Sequence, residues 1–70
     1  MNVNKLRGKF VEHGYTISTM AKELGISHTA MSNKINGKSQ FTQGEMSTMA
    51  SKLEMTKQEI TDIFFADQVS

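Results

Sequence analysis

Seventy residues without a cysteine exclude a disulfide framework and a thiolate metal site, and so short a chain hardly buries two cores, so residues 1–70 are expected to form one domain. No apolar run approaches the roughly 20 residues that span a bilayer, and the polar start Met1, Asn2, Val3, Asn4, Lys5 lacks a signal peptide's apolar stretch, which points to a soluble, cytoplasmic protein. The formal net charge is +1 but unevenly spread: Lys5, Arg7, Lys9, Lys22, Lys34 and Lys38 against Glu12 and Glu23 give residues 1–40 a balance of +4, while Lys52 and Lys57 against Glu45, Glu54, Glu59, Asp62 and Asp67 give residues 41–70 one of −3, a split that suggests one half meets a polyanion.

Strand signals are weak and proline is absent, so the expected fold is all-α, a compact five-helix bundle. A first helix is expected from about Asn4 to His13, with Leu6 and Phe10 on one face and Gly14 in the position of a left-handed cap. Thr16 caps a second helix through about Leu24 with Met20, Ala21 and Leu24 turned inward, and Gly25 ends it. Ser27 caps a third, from His28 to about Asn36, which stops at Gly37. Two capping boxes follow. Thr42 with Glu45 opens a fourth helix with the stripe Met46, Met49, Ala50 and Leu53, and Thr56 with Glu59 opens a fifth with Ile60, Ile63 and Phe64. The six methionines suit the irregular gaps of a small core better than a ligand groove.

A helix, the turn Gly25, Ile26, Ser27 and a second helix form a helix-turn-helix unit. Ala21 is small where the two helices come closest, Gly25 tolerates a positive φ, and Ile26 fills the corner; Leu24, Ile26 and Met31 close the core beneath. From "YTISTMAKELGISHTAMSNKINGKSQFTQGEMSTMASKLEMTKQEI", and within it "MAKELGIS", "NGK" and "MASKLEMTKQEI", the chain resembles the lambda Cro/C1 repressor (Xre) type of helix-turn-helix domain over helices two to five. In length and in "KINGKSQFT" it looks most like small regulators of temperate phages of Gram-positive bacteria.

That resemblance implies a lambda-repressor-like DNA-binding domain that regulates transcription at a lysogeny or lytic switch inside the bacterial host. Its third helix would enter the major groove of double-stranded operator DNA. The residues expected to face the DNA are His28, Thr29, Ser32 and Asn33, with Asn36 near the helix end, where Asn33 suits adenine, His28 a purine edge and Thr29 a base or the thymine methyl. Ser27, Lys34, Lys38, Ser39 and Gln40 are expected at phosphates. Amides and hydroxyls discriminate bases, whereas charge adds affinity without sequence information.

Departures from the family pattern open an alternative. Relatives often carry a phosphate-binding Gln where this chain has Ile17, and others join helices one and three by an ion pair where it has Phe10 and Ile35. The alternative is an antirepressor that binds the partner phage repressor protein through Ile17, His28, Thr29, Ser32 and Asn33. His13 reads as a favourable charge at a helix C-terminus, and Lys5, Arg7 and Lys9 as a solvated face. Phe65 and Val69 serve either a homodimer contact or, for Phe65, the closing of a monomer's core. No acid pair, activated nucleophile or phosphate loop has a useful spacing, so neither an enzyme nor a cofactor is expected, and His13 and His28 do not make a metal site by spacing.

Overall fold

Each helix begins at a side-chain cap. The computed structural model describes residues 1–68, and among them are five α-helices and no strand: α1 (Val3–Glu12), α2 (Ile17–Leu24), α3 (His28–Ile35), α4 (Gln43–Lys52) and α5 (Lys57–Phe64), followed by a 3₁₀ turn, Ala66–Gln68. Thr42 and Thr56 form the expected capping boxes with Glu45 and Glu59. Ser27 accepts from the Ala30 amide at 3.0 Å. Two caps go beyond the sequence reading. The Asn2 side chain accepts from the Lys5 amide, which starts α1 one residue earlier than expected, and Thr16 forms a reciprocal box with Thr19, whose hydroxyl takes the part that Glu or Gln usually plays.

Four helices end alike. At the end of α2 the Gly25 amide donates to the Lys22 carbonyl and the Ile26 amide to the Ala21 carbonyl, the paired bonds of a Schellman motif, with Gly25 at φ +70°. Gly14 and Gly37 hold the same left-handed position after α1 and α3. After α4 it is Glu54, at φ +49°, that does so; no residue type in the sequence marks that end.

The caps fix where each apolar stripe points. Leu6 and Phe10 of α1, Met20 and Ala21 of α2, Met31 and Ile35 of α3, Met49 and Leu53 from α4, and Ile63 and Phe64 of α5 form one buried core, and Leu24, Ile26, Met46 and Ile60 cover its edges half-buried. Phe10 and Ile35, where an apolar contact is expected in place of an ion pair, both belong to it. The Cα radius of gyration is 11.1 Å, close to the roughly 11 Å of a globular chain this long. Phe65 packs half-buried against the core and Phe41 meets Phe64 edge-on, with ring centroids 6.4 Å apart. Val69 lies outside the described residues. None of the described helices is long and apolar enough to cross a membrane.

Ion pairs join the basic first half to the acidic second half. Lys9 reaches Glu59 at 3.0 Å, Lys34 reaches Glu45 at 2.7 Å, Lys52 reaches Glu23 at 3.3 Å, and the terminal ammonium of Met1 reaches Asp67 at 2.7 Å. The Asn2 amide also donates to the Ile63 carbonyl, which ties the start of α1 to α5. Lys9 is thus withdrawn from the solvated face expected for it, since only 11% of its side chain is exposed. His13, the C-cap of α1, stands 3.7 Å from Glu12 and 3.4 Å from Glu54.

Candidate functional site

The core position of α3 decides what its other side presents. Met31 and Ile35 point inward, so helical periodicity turns Thr29, Asn33 and Asn36 outward and leaves Ser32 at the border, while His28, at i, i+3 and i+7 with the two core residues, is exposed at the first position of the helix. His28, Thr29 and Asn36 are exposed, and Ser32 and Asn33 are half-buried. This face carries no carboxylate, ammonium or guanidinium. It offers an amide pair, hydroxyls and an imidazole, which both donate and accept hydrogen bonds.

Both ends of the face are built. At its start Ser27 uses a hydroxyl lone pair to cap Ala30, so its O–H proton remains to be donated, and the first-turn amides of His28 and Thr29 have no acceptor within the helix. At its end the Asn33 carbonyl accepts from the amides of Lys38 at 2.8 Å and Ser39 at 3.4 Å. That turn brings the exposed Lys38, Ser39 and Gln40 to the C-terminal end of the helix. The residues expected to act together are therefore gathered on α3 and the loop after it, with one exception.

Lys34 is the exception. Its ammonium donates to Glu45 Oε1 at 2.7 Å and to the Gln40 carbonyl at 3.2 Å and stands 5.9 Å from the Phe41 ring centroid, and its side chain is only 14% exposed. The ammonium expected at a phosphate is instead committed within the fold, because Lys34 sits between the buried and the outward face of α3, turned toward α4. Ile17, the first residue of α2, is likewise half-buried and packed against the core, so only part of it is open to a partner. Lys5, Arg7, Lys22, Lys38 and Lys57 make no ion pair among the described residues. Of these Lys38 belongs to the loop that continues from α3.

Glu45 is the residue that sequence reasoning placed but did not understand. It reads as a capping-box member, and the same Oε1 that accepts from the Thr42 amide at 2.8 Å also takes the Lys34 ammonium. The hydrogen bond from Lys34, helped by that from Thr42, holds its carboxyl below the ordinary value of 4.5 against the opposing effect of burial. Glu59 is also lowered, by the Thr56 amide first and then by Lys9. A depressed carboxyl stabilises the fold fully above its unfolded pKa and ceases to do so as pH falls through the lower folded value. Thermal midpoints measured from about pH 7 to about pH 2 are expected to hold steady to about pH 5 and then fall, less steeply in the double variant Glu45→Gln, Glu59→Gln. Equal slopes in the two proteins would contradict the role given to these carboxylates.

No group of three or more His, Asp or Glu residues placed to hold a metal ion occurs among the described residues. The family model described as "Protein of unknown function (DUF739)" matches residues 1–67. No curated protein and no solved structure matches the chain.

Proposed function

The chain belongs to the DUF739 family of proteins of unknown function, and from the side chains of α3 we propose that it is a helix-turn-helix transcription regulator of a phage or prophage lysogeny/lytic switch, binding operator DNA through that helix. The observation that carries this reading is the outward face His28, Thr29, Ser32, Asn33 and Asn36, rich in hydrogen-bonding groups and standing behind a turn held by the Schellman bonds at Gly25. A helix of this width fits the major groove, where each base pair presents a distinct set of donors and acceptors. Asn33 then pairs with adenine N6 and N7, and His28 and Thr29 take neighbouring base edges. Ser27, the free amides of the first turn, Lys38, Ser39 and Gln40 hold phosphates on either side. Lys34 holds none. The domain acts in the host cytoplasm, as a homodimer where the operator has paired half-sites, and neither a cofactor nor catalysis enters.

Binding to the promoter DNA beside its own gene tests this. Affinity is expected to fall as salt rises, and Lys38→Ala to lower the log–log salt slope by about one while leaving the sequence preference intact. Failure of any promoter fragment to bind at micromolar protein, with no salt response, removes the reading.

The pairing of Lys9 and Lys34 within the fold and the apolar, half-open Ile17 at the start of α2 favour a second reading, an antirepressor that binds the phage repressor protein through Ile17, His28, Thr29, Ser32 and Asn33. Co-purification with a repressor encoded by a neighbouring gene, lost on Ile17→Glu but kept by Lys38→Ala, is its signature, and the reverse pattern excludes it.

A further inference from the structure

The loop between α3 and α4 spans a hollow. Behind it lies a cleft of about 330 Å³ lined in part by Gly37, Ser39, Gln40, Phe41, Met46 and Phe64, so packing alone does not hold the loop in place. Phe41, half-buried against the core and edge-on to Phe64, pins the end of the loop, and the polar fixings of the rest are few. The Asn33 carbonyl takes the amides of Lys38 and Ser39 where the loop begins. Where it ends, the Lys34 ammonium donates to the Gln40 carbonyl, and Glu45 Oε1 accepts from both that ammonium and the Thr42 amide. One carboxylate oxygen thereby joins the start of α4 to the last turn of α3 across the loop, and it does so where Lys34 and Glu45 are each only 14% exposed.

We infer that Glu45, acting through Lys34, is a positioning residue for residues 37–40, and that it sets where Lys38, Ser39 and Gln40 stand relative to the outward face of α3. The second half of this statement rests on the DNA-binding reading. Two anchors drawn from successive residues of α3, the Asn33 carbonyl and the Lys34 ammonium, make the loop move with that helix. The separation between base-facing and phosphate-facing groups is then fixed before any ligand arrives, which removes an ordering cost from binding.

Glu45→Gln tests the inference, because glutamine still serves in a capping box but no longer offers a charge to Lys34. Hydrogen exchange in the free protein is expected to quicken about tenfold at the amides of Lys38 and Ser39, with core amides of α2 and α5 unchanged, as for the loss of a charge-assisted bond. DNA affinity is expected to fall about tenfold although the variant gains one unit of positive charge, the reverse of what simple charge attraction predicts. In a Lys34→Met background, which also lacks the bond to the Gln40 carbonyl, Glu45→Gln is expected to change loop exchange no further, since Glu45 acts on the loop through the Lys34 ammonium. Unchanged exchange overturns the inference, and so does faster exchange with equal or tighter DNA binding, or an effect of Glu45→Gln on exchange that persists undiminished in the Lys34→Met background. If the loop amides quicken while the unaltered protein binds no DNA, the positioning role stands and the DNA-binding reading falls.

Discussion

Met31→Ala is expected to leave the chain largely unfolded at physiological temperature, and Met31→Leu to keep it folded. Met31 has no exposed surface and is, with Ile35, one of two core residues by which α3 is held. Truncating a fully buried methionine costs about 2–5 kcal/mol, the removed methylenes and the remaining cavity both contributing. A core in a chain of this size supplies roughly 3–5 kcal/mol in all. The two magnitudes overlap, so a cavity at this point consumes most of the stability of the fold. Leucine keeps nearly the same volume and is expected to cost less than about 1.5 kcal/mol. Urea denaturation followed by circular dichroism separates the variants, and a Met31→Ala protein with a near-normal midpoint would mean that Met46, Met49 and the other flexible side chains close the gap. Three of the largest fully buried side chains are methionines, Met20, Met31 and Met49, which makes such repacking the effect to measure against.

Local chemistry was legible and distant pairing was not. Thr16, Ser27, Thr42 and Thr56 announce four helix starts because a capping side chain bonds to an amide two or three residues ahead, so cause and consequence lie within one turn of the chain. Gly14, Gly25 and Gly37 announce three ends for the same reason, through a backbone conformation that suits glycine. The fourth end was hidden because Glu54 takes that conformation at φ +49°, and nothing in a glutamate foretells it. Its neighbourhood settles the matter: Thr56 restarts the chain two residues later, and the Glu54 and Met55 amides find the Ser51 and Ala50 carbonyls, which offsets the conformational cost of about 1–2 kcal/mol.

The same contrast runs through the charges. Lys9 and Lys34 lie in the basic half of the sequence, and their partners Glu59 and Glu45 in the acidic half. A running tally along the chain therefore reads as a polarity between two faces what the fold partly cancels by pairing. Helical spacing did place Thr29, Asn33 and Asn36 outward, since that needs only the register of Met31 and Ile35, whereas His28 shares their stripe and is exposed because it is the first residue of the helix. Which neighbour turns toward α4 depends on the angle between two helices, and no pattern within α3 carries that angle.

Asn33→Ala is expected to weaken operator binding about ten- to a hundredfold while leaving binding to unrelated DNA and the salt slope unchanged, the loss of one bidentate base contact being about 1–3 kcal/mol. The substitution is clean for a structural reason. It is the backbone carbonyl of Asn33, not its side chain, that holds the Lys38 and Ser39 amides, so the loop keeps its anchor. Alanine is also the better helix former, so the stability of α3 is kept or slightly raised. Competition between operator and unrelated DNA at several salt concentrations reads the difference directly. An equal loss on both DNAs, with a shallower salt slope, would move Asn33 from the bases to the phosphates. No loss on either, together with loss of a co-purifying repressor, would assign the face to a protein partner. The amide chemistry of the outward face makes the selective loss on operator DNA the result expected, because an amide adds little to an attraction that depends on charge and much to a choice between bases.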